Sequence, residues 1–320
     1  SPVMTDVQIT FDLDAVKAED GKPVNRVYPA GSFDLFAGEQ LVVVGRYKKP
    51  GTAKVVVSGK VGEKQQQFDF PAKLVDKSQD ETHAFIEKLW AVRRVGEILD
   101  ELDLKGTNDE LVKELVTLST RHGILTPYTS FMADENAPVR DLAAATRQAG
   151  SRLGALNTTD GRGGFAQRAY KGSLKRADRA PAAPAAEMAA DAAEALSSVP
   201  ASRPRPGGRP NGQAGMGSSM GRNSSGYATG PALAEKAKKE AKDAGKVIRS
   251  IGSRTFYFRS GQWVDSQVTA DQEKAPTRVK QFSDRYFDLA RLHGKKMSQY
   301  MVFDEPVLLT LDKQAYLIEP

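Results

Sequence analysis

The fold is decided by residues 85–123, which read FIEKLWAVRRVGEILDELDLKGTNDELVKELVTLSTRHG. In the first half, large apolar side chains recur three, four or seven positions apart, which is the spacing of one buried helix face. Ser78 and Glu81 lie just upstream with the spacing of a helix capping box, and Gly106 ends the pattern. The stretch predicts a first helix whose core side chains are Phe85, Leu89, Trp90 and Leu99.

A second helix is predicted directly after this glycine. Thr107 and Glu110 repeat the capping-box spacing. The apolar positions that follow include Leu111 and Leu115, which we expect to pack against the first helix. Gly123 is positioned for a left-handed cap that closes the second helix.

An extended segment follows the helices and reads ILTPYTSF over residues 124–131. A proline cannot donate to a strand ladder, so Pro127 confines this segment to a sheet edge or an irregular strand. Pro127 and Tyr128 are expected to contribute to the core. The sequence therefore predicts a helical hairpin with a return strand over residues 78–135.

Residues 1–77 carry the alternation and turn signals of short β-strands. Residues 7–11 alternate apolar and polar, and residues 40–47 have the composition of a strand buried on both faces. Residues 54–61 and 67–70 follow after turn-forming residues. Four or five such strands predict a small antiparallel β-sandwich.

Residues 136–230 are rich in Ala, Pro and Gly and hold few large apolar side chains. Such a composition does not bury enough apolar surface to offset the entropy of ordering the chain. It predicts a long, flexible, basic linker, with nascent helix at most around residues 138–150 and 185–197.

Residues 231–320 again have the patterns of folded structure. A helix is predicted over residues 232–246, and β-hairpins over residues 254–265 and 307–318. One further helical face is predicted between the hairpins, with the side chains Val279, Phe282, Tyr286, Leu289 and Ala290. These patterns predict a small C-terminal α+β domain.

The composition excludes several classes of protein. The sequence has no cysteine, which excludes disulfides, cysteine-ligated metals and a cysteine nucleophile. No apolar run reaches the about 18–20 residues that a membrane helix needs. The sequence starts at Ser1 without a signal-peptide pattern, from which we expect a piece of a longer polypeptide.

The histidines and aspartates do not form a catalytic or metal-binding motif. His122 and His293 each precede a glycine at a predicted helix end, where an imidazolium would favour the helix dipole, and His83 lies in a helix first turn. Asp12 and Asp14, with Asp6 as a third member, could reach one cation, but acidic residues at a strand end more often form a solvated turn. We predict no catalytic residue, no metal ligand and no cofactor in this chain.

The net charge of +6 is distributed unevenly. Residues 1–161 carry a net charge of −4, residues 162–222 carry +6 and residues 223–320 carry +4. The candidate contacts for a polyanion, either a nucleic acid or an acidic polysaccharide, are Arg203, Arg205, Arg209 and Arg222. The competing interpretation of these arginines is a solubilising tether, and a nucleic-acid-binding fold is not predicted.

Several stretches resemble the inter-alpha-trypsin inhibitor heavy chains and their bacterial relatives. The stretches similar to the C-terminal core of those proteins are residues 85–91, 114–119 and 123–130. The stretches similar to the segment that directly follows their von Willebrand factor type A domain are residues 2–7 and 34–47. The resemblance covers about residues 1–133, and a weaker similarity to bacterial members continues at residues 255–258 and 263–265.

The resemblance implies a non-catalytic, extracytoplasmic protein that joins a VIT domain to a type A domain. Such proteins bind partners through a metal-dependent adhesion site in the type A domain. The Asp-x-Ser-x-Ser ligands of that site are missing here, so a divalent metal is expected only in a type A domain upstream of Ser1. The Asp-Pro-His-Phe segment that is esterified to glycosaminoglycan is missing as well.

We therefore predict an α+β protein: an antiparallel β-sandwich with a packed helical hairpin, a long disordered linker and a small C-terminal α+β domain. Its predicted function is that of a structural and interaction module, not an enzyme, which scaffolds an upstream type A domain. The partners are the upstream type A and VIT domains and a protein or matrix ligand. The alternative is polyanion binding through the basic linker.

Overall fold

A computed structural model describes residues 2–14, 16, 21–76, 83, 85–137, 139–154, 161–178 and 246–320. The chain begins with the strands β1 (Pro2–Leu13), β2 (Val24–Tyr28), β3 (Phe33–Phe36), β4 (Val44–Tyr47), β5 (Gly51–Val61) and β6 (Lys64–Leu74). The helical part contains α1 (Phe85–Lys105), α2 (Asp109–His122), a 3-10 turn (Ser130–Ala133), α3 (Leu142–Arg152) and α4 (Gly161–Lys175). The C-terminal part contains β7 (Ile248–Ile251), β8 (Arg254–Arg259), β9 (Gln262–Asp265), α5 (Ala270–Lys274), β10 (Thr277–Lys280), α6 (Asp284–His293), α7 (Lys295–Ser298), a 3-10 turn (Gln299–Val302), β11 (Val307–Leu311) and β12 (Gln314–Glu319). The protein is α+β, as predicted.

The N-terminal strands form a four-stranded sheet and a separate two-stranded ladder. The larger sheet is antiparallel with the order β3-β1-β5-β6, and β2 pairs with β4. The strand predicted over residues 40–47 forms only at β4, where Val44 is buried but Arg46 and Tyr47 are exposed. The prediction of burial on both faces is wrong because only the face of β4 that carries Val44 packs against the helical core.

The hairpin of α1 and α2 contains the largest core of the described residues. Leu89, Leu99 and Leu115 are fully buried within it. The helix cap differs from the prediction, because Asn108 and not Thr107 caps α2. Asn108 Oδ1 accepts hydrogen bonds from the backbone N–H groups of residues 110 and 111 at 2.9 and 3.0 Å.

Two helices, α3 and α4, lie where the sequence predicts a flexible linker. Leu153, Tyr170 and Leu174 join the core of the hairpin, and the Tyr170 hydroxyl donates to the Leu125 carbonyl oxygen at 2.9 Å. The flexible-linker prediction is wrong for these helices, because a few large side chains anchor an otherwise Ala- and Gly-rich segment. The nascent helix predicted around residues 138–150 does overlap α3. The part of the predicted linker from residue 179 to residue 230 lies outside the described residues.

The return strand predicted after the hairpin is replaced by turns. The hydroxyls of Thr126 and Thr129 lie 2.9 Å apart, and Thr126 Oγ1 also accepts from the backbone N–H groups of Tyr128 and Thr129. These local hydrogen bonds provide partners for the backbone N–H groups, so no neighbouring strand is needed. The chain then continues into the 3-10 turn. The strand prediction is therefore wrong here.

The C-terminal strands form a six-stranded sheet with the order β10-β12-β11-β9-β8-β7. The hairpins predicted at residues 254–265 and 307–318 are confirmed as β8–β9 and β11–β12. The predicted helical face is only partly correct: Tyr286 and Leu289 lie buried on α6, whereas Val279 lies in β10 and Phe282 is exposed. The helix begins after Ser283, whose hydroxyl caps it.

The C-terminal sheet packs directly against the helical hairpin. The Tyr257 hydroxyl donates to the Thr120 carbonyl oxygen at 2.7 Å, and Arg259 Nη2 donates to the Met132 carbonyl oxygen at 2.7 Å. Tyr257 belongs to the core cluster of the hairpin. The two parts therefore share a core contact as well as hydrogen bonds.

Candidate interaction surface

The four-stranded sheet has one apolar and one polar face. Residues paired across neighbouring strands share a face, so the register defines both faces. What we call the apolar face consists of Ile9, Phe11, Leu13, Ala53, Val55, Val57, Phe68, Phe70, Ala72 and Leu74. The opposite face carries mostly polar residues, among them Gln8, Thr10, Asp12, Lys54, Ser58, Lys60, Gln65, Gln67 and Asp69.

Among the described residues, those that pack on the apolar face cover one end of it. Leu13 and Ala53 are each 2% exposed and pack against Val24 of β2. Farther along the same face, Phe68 is 48% and Phe70 is 53% exposed. A sheet face that is apolar along its length but covered over part of it is a candidate surface for a further layer of protein.

The edge strand β6 restricts how a partner can bind. β6 pairs with β5 along its whole length, with Pro71 opposite Lys54. Proline has no N–H, so Pro71 fits the β5–β6 ladder only where its nitrogen points away from β5. The free edge of β6 therefore lacks one hydrogen-bond donor at Pro71. Lys64 and Lys73 add charge near the two ends of the strand. These features favour packing against the face over the addition of a strand at this edge.

The side chain of Arg93 ties α1 to the β-ladder and to the end of α4. Its Nη1 donates to the carbonyl oxygens of Tyr28 and Val42 at 3.0 and 2.7 Å, and its Nε donates to that of Ala177 at 2.8 Å. Burial lowers the pKa of Arg93. The guanidinium thus joins segments that are far apart in sequence and fixes the layer that packs against the apolar face.

The neighbouring Arg94 forms a largely buried ionic network. Its Nη2 and Nε donate to the two carboxylate oxygens of Glu114 at 2.7 and 3.0 Å, and Nη1 donates to Glu101 at 3.0 Å. Burial opposes the charge of Arg94, but hydrogen bonding and attraction from Glu114 outweigh it and raise the pKa of Arg94. Arg26 also pairs with Glu114, which links β2 to both helices.

These two arginines were not predicted as important from the sequence. The available signal is the VRRV run, which places charged residues inside an apolar helical pattern at residues 92–95. A buried arginine needs several acceptors, so such a run indicates a site where other segments meet.

The predicted core residues are largely buried. Leu89, Trp90, Leu99, Leu115 and Tyr128 are buried, and Leu111 and Pro127 are half-buried. Phe85 is 49% exposed, so its assignment to the core is wrong. It is the first residue of α1, and at a helix end fewer neighbours surround a side chain.

The structure corrects the expected role of His122. Its side chain lies at the C-terminal end of α2 and is only 4% exposed. Burial, followed by Arg121 and Lys88, lowers the pKa of His122 to about 4, so the ring is neutral at pH 7. It therefore does not supply an imidazolium to the helix dipole. His293 lies at the end of α6, where its Nδ1 is 3.5 Å from Asp312 Oδ2.

The aspartates considered as metal ligands have other surroundings. Asp6 Oδ2 lies 2.8 Å from Lys60 Nζ, and Asp12 lies on the polar face opposite Lys54. Within the described ranges, no group of three or more His, Asp or Glu side chains could hold a metal ion. The arginines predicted to contact a polyanion, at positions 203, 205, 209 and 222, lie outside the described residues.

Comparisons with known proteins identify no relative. No family model matches the sequence, and neither a curated protein nor a solved structure is significantly similar to the chain. None of the helices in the described ranges combines the length and the apolar character needed to cross a membrane.

Proposed function

We propose that this chain is a non-catalytic interaction module whose apolar face packs against a partner protein. The observation that supports this function is the uncovered end of that face, where Phe68 and Phe70 are about half exposed. Because the covered end of the same face already buries Leu13 and Ala53, a partner would extend an existing core. Covering the two half-exposed rings contributes about 2 kcal/mol to such an interface.

We propose that the partner is a region of VIT and type A domains, which the resemblance to inter-alpha-trypsin inhibitor heavy chains implies upstream of this chain. On this proposal, that region supplies further strands that complete a β-sandwich together with β2, β4 and the four-stranded sheet. On this proposal the protein is extracytoplasmic, and a divalent metal belongs to the type A domain.

The experiment is to express the upstream region separately and to measure its binding to this chain by isothermal titration calorimetry. The double variant Phe68→Ser/Phe70→Ser should weaken binding about 10-fold or more, since it removes about 2 kcal/mol of apolar contact. The matched control is Gln65→Ser/Gln67→Ser, which changes the opposite face of the same strand.

The control variant should bind like the unsubstituted chain. Equal binding by both double variants and the unsubstituted chain would show that the apolar face is not the interface. Circular dichroism of each variant establishes that the sheet is still folded.

A further inference from the structure

Among the described strands, β1 has a neighbour on both sides only within its first half, around residues 5–7. β3 pairs with β1 at Pro2, Met4 and Val7, and β5 pairs with Thr5 and residues 8–13 from the other side. β3 begins at Phe33, opposite Val7, and residues 29–32 before it are not in a strand. Within the described part of the chain, the sheet therefore has an unfilled strand position beside residues 8–13.

A cleft of about 670 Å³, which we call the β1 cleft, lies at this position. Four consecutive residues of β1, 8–11, line one wall. Successive side chains of a strand point to opposite faces, so a wall made of consecutive residues is the edge of β1 and not one of its faces. Residues 22–33 also line the cleft, as do Arg94 and Glu97 of α1.

The edge of β1 presents backbone groups to this cleft. In an antiparallel pair, every second residue of a strand directs both its N–H and its C=O group toward the paired strand. Half of residues 8–13 therefore direct these groups toward β5, and the other half direct them toward the cleft. The stretch is about 20 Å long, which corresponds to about six residues of extended chain. An unpaired strand edge of this length is a template for one more strand.

The side chains of the cleft define the chemistry of such a strand. Ile9, Phe11 and Val27 supply apolar surface. The charged residues of the lining are Lys22, Arg26, Arg94 and Glu97. Arg26 and Arg94 are already paired with Glu114, so Lys22 is the cation of the lining that favours an acidic residue in the occupant. An occupant that matches this wall has apolar residues at alternate positions and an acidic residue near Lys22.

We propose that the β1 cleft binds an extended peptide strand that carries an acidic residue near Lys22 and pairs with residues 8–13 of β1. This strand continues the sheet in the position that β3 fills only beside the first half of β1. Ile9 and Phe11 belong both to the apolar face and to the cleft lining. The paired edge of the site lies on β1, two strands away from β6, so strand pairing there is distinct from packing on Phe68 and Phe70.

The test uses the full chain and the synthetic peptide acetyl-Glu-Val-Thr-Val-Thr-Val-Glu-amide, followed by amide hydrogen exchange. At saturating peptide, exchange of residues 8–13 should slow about 10-fold or more, while residues 64–74 in β6 should not change. Two further peptides carry N-methyl groups on one or the other alternate set of residues. The set that faces β1 should lose binding, and the other set should retain it.

Two protein variants test the location of the site. Ala30→Trp places a large side chain in the lining of the cleft and should abolish binding. Ala143→Trp, on the exposed surface of α3, should not affect binding. Lys22→Glu should weaken binding about 5-fold, and its control Lys73→Glu on β6 should have no effect.

Equal binding of the unmodified and both N-methylated peptides would overturn the proposal, because it would indicate apolar adsorption and not strand pairing. Unchanged exchange of residues 8–13 at saturating peptide would also overturn it. Retained binding by both Ala30→Trp and Lys22→Glu would place the peptide elsewhere.

Discussion

At the end of α2, the neutral ring of His122 makes the stability of the fold depend on pH. Its pKa is lowered from 6.5 to about 4. Between these values the unfolded chain binds a proton that the folded protein does not bind. The stabilising effect of the neutral ring is therefore complete above pH 6.5 and is lost progressively as the pH falls toward 4.

We expect His122→Gln to remove this dependence on pH. From pH 7 to pH 5 the unsubstituted protein should lose about 2 kcal/mol more of its unfolding free energy than the variant does. Urea denaturation of both proteins at the two pH values measures the difference. An identical loss in the two proteins would mean that His122 ionises normally in the folded state.

At Gly123, both the backbone conformation and the close packing of neighbouring side chains require glycine. It has a φ of 62°, and a Cβ atom there would lie 2.8 Å from Thr255 Cγ2 of β8. Gly106 has a φ of 84°, but a Cβ atom there would meet nothing within 4 Å. Alanine strains the backbone at both positions, but only at 123 does it collide with the C-terminal sheet.

Gly123→Ala should therefore destabilise the protein by about 1–3 kcal/mol more than Gly106→Ala does. Adding Thr255→Ser removes the methyl group and should restore part of the difference. Thermal or urea unfolding of the three variants is the measurement. Equal losses in the two alanine variants would contradict the tight contact between α2 and β8.

At the scale of elements, α1 organises the fold through Arg93. Replacing Arg93 by Met removes the donors to the Tyr28, Val42 and Ala177 carbonyl oxygens. The expected loss of stability is about 2–4 kcal/mol, because buried acceptors are left unpaired. The exposed Lys105→Met, at the end of the same helix, is the control and should change little.

Hydrogen exchange locates the effect of the Arg93→Met variant. Amides of β2 and of the C-terminal end of α4 should exchange faster, because Arg93 connects both to α1. Unchanged exchange in both segments would show that the guanidinium does not hold these elements together.

The sequence predicts the elements with strong periodicity and misses the others. The hairpin α1–α2 was predicted because its apolar spacing is regular and glycines end both helices. β2 and β3 were not predicted, since they are short and depend on pairing with distant strands. Composition allows only nascent helix at α3 and argues against α4, which is ordered by contacts such as that between Tyr170 and Leu125.

The candidate surface could be predicted only in part. The alternation around Phe68 and Phe70 indicates a strand with one apolar side, and β6 has that pattern. Whether an apolar side is covered depends on the tertiary packing of β2 and β4, which leaves these two rings exposed. Local sequence carries no signal for that outcome.

At the scale of the whole molecule, we expect the C-terminal sheet to remain bound to the helical hairpin even when the chain between them is cut. Besides the Tyr257 and Arg259 contacts, Lys88 Nζ donates to Ser250 Oγ at 3.1 Å. A specific protease site inserted after Gly207, once cut, should leave two fragments that co-elute in size-exclusion chromatography. The variant Tyr257→Ala, which removes a buried core side chain, should weaken or abolish that association.

Fragments that separate on cutting, with the unsubstituted sequence, would contradict the docking of β8 on α2. In that case the contacts would depend on covalent linkage alone. Native mass spectrometry of the cut protein distinguishes the two outcomes directly.

The central functional claim is that the apolar face of the four-stranded sheet is an interface. The most direct measurement is amide hydrogen exchange of this chain, alone and in complex with the proposed partner region of VIT and type A domains. If the face is an interface, residues 53–57 and 68–72 should exchange about 10-fold more slowly in the complex, while β8 should not change. Equal exchange of these residues in the free and bound chain would contradict the claim.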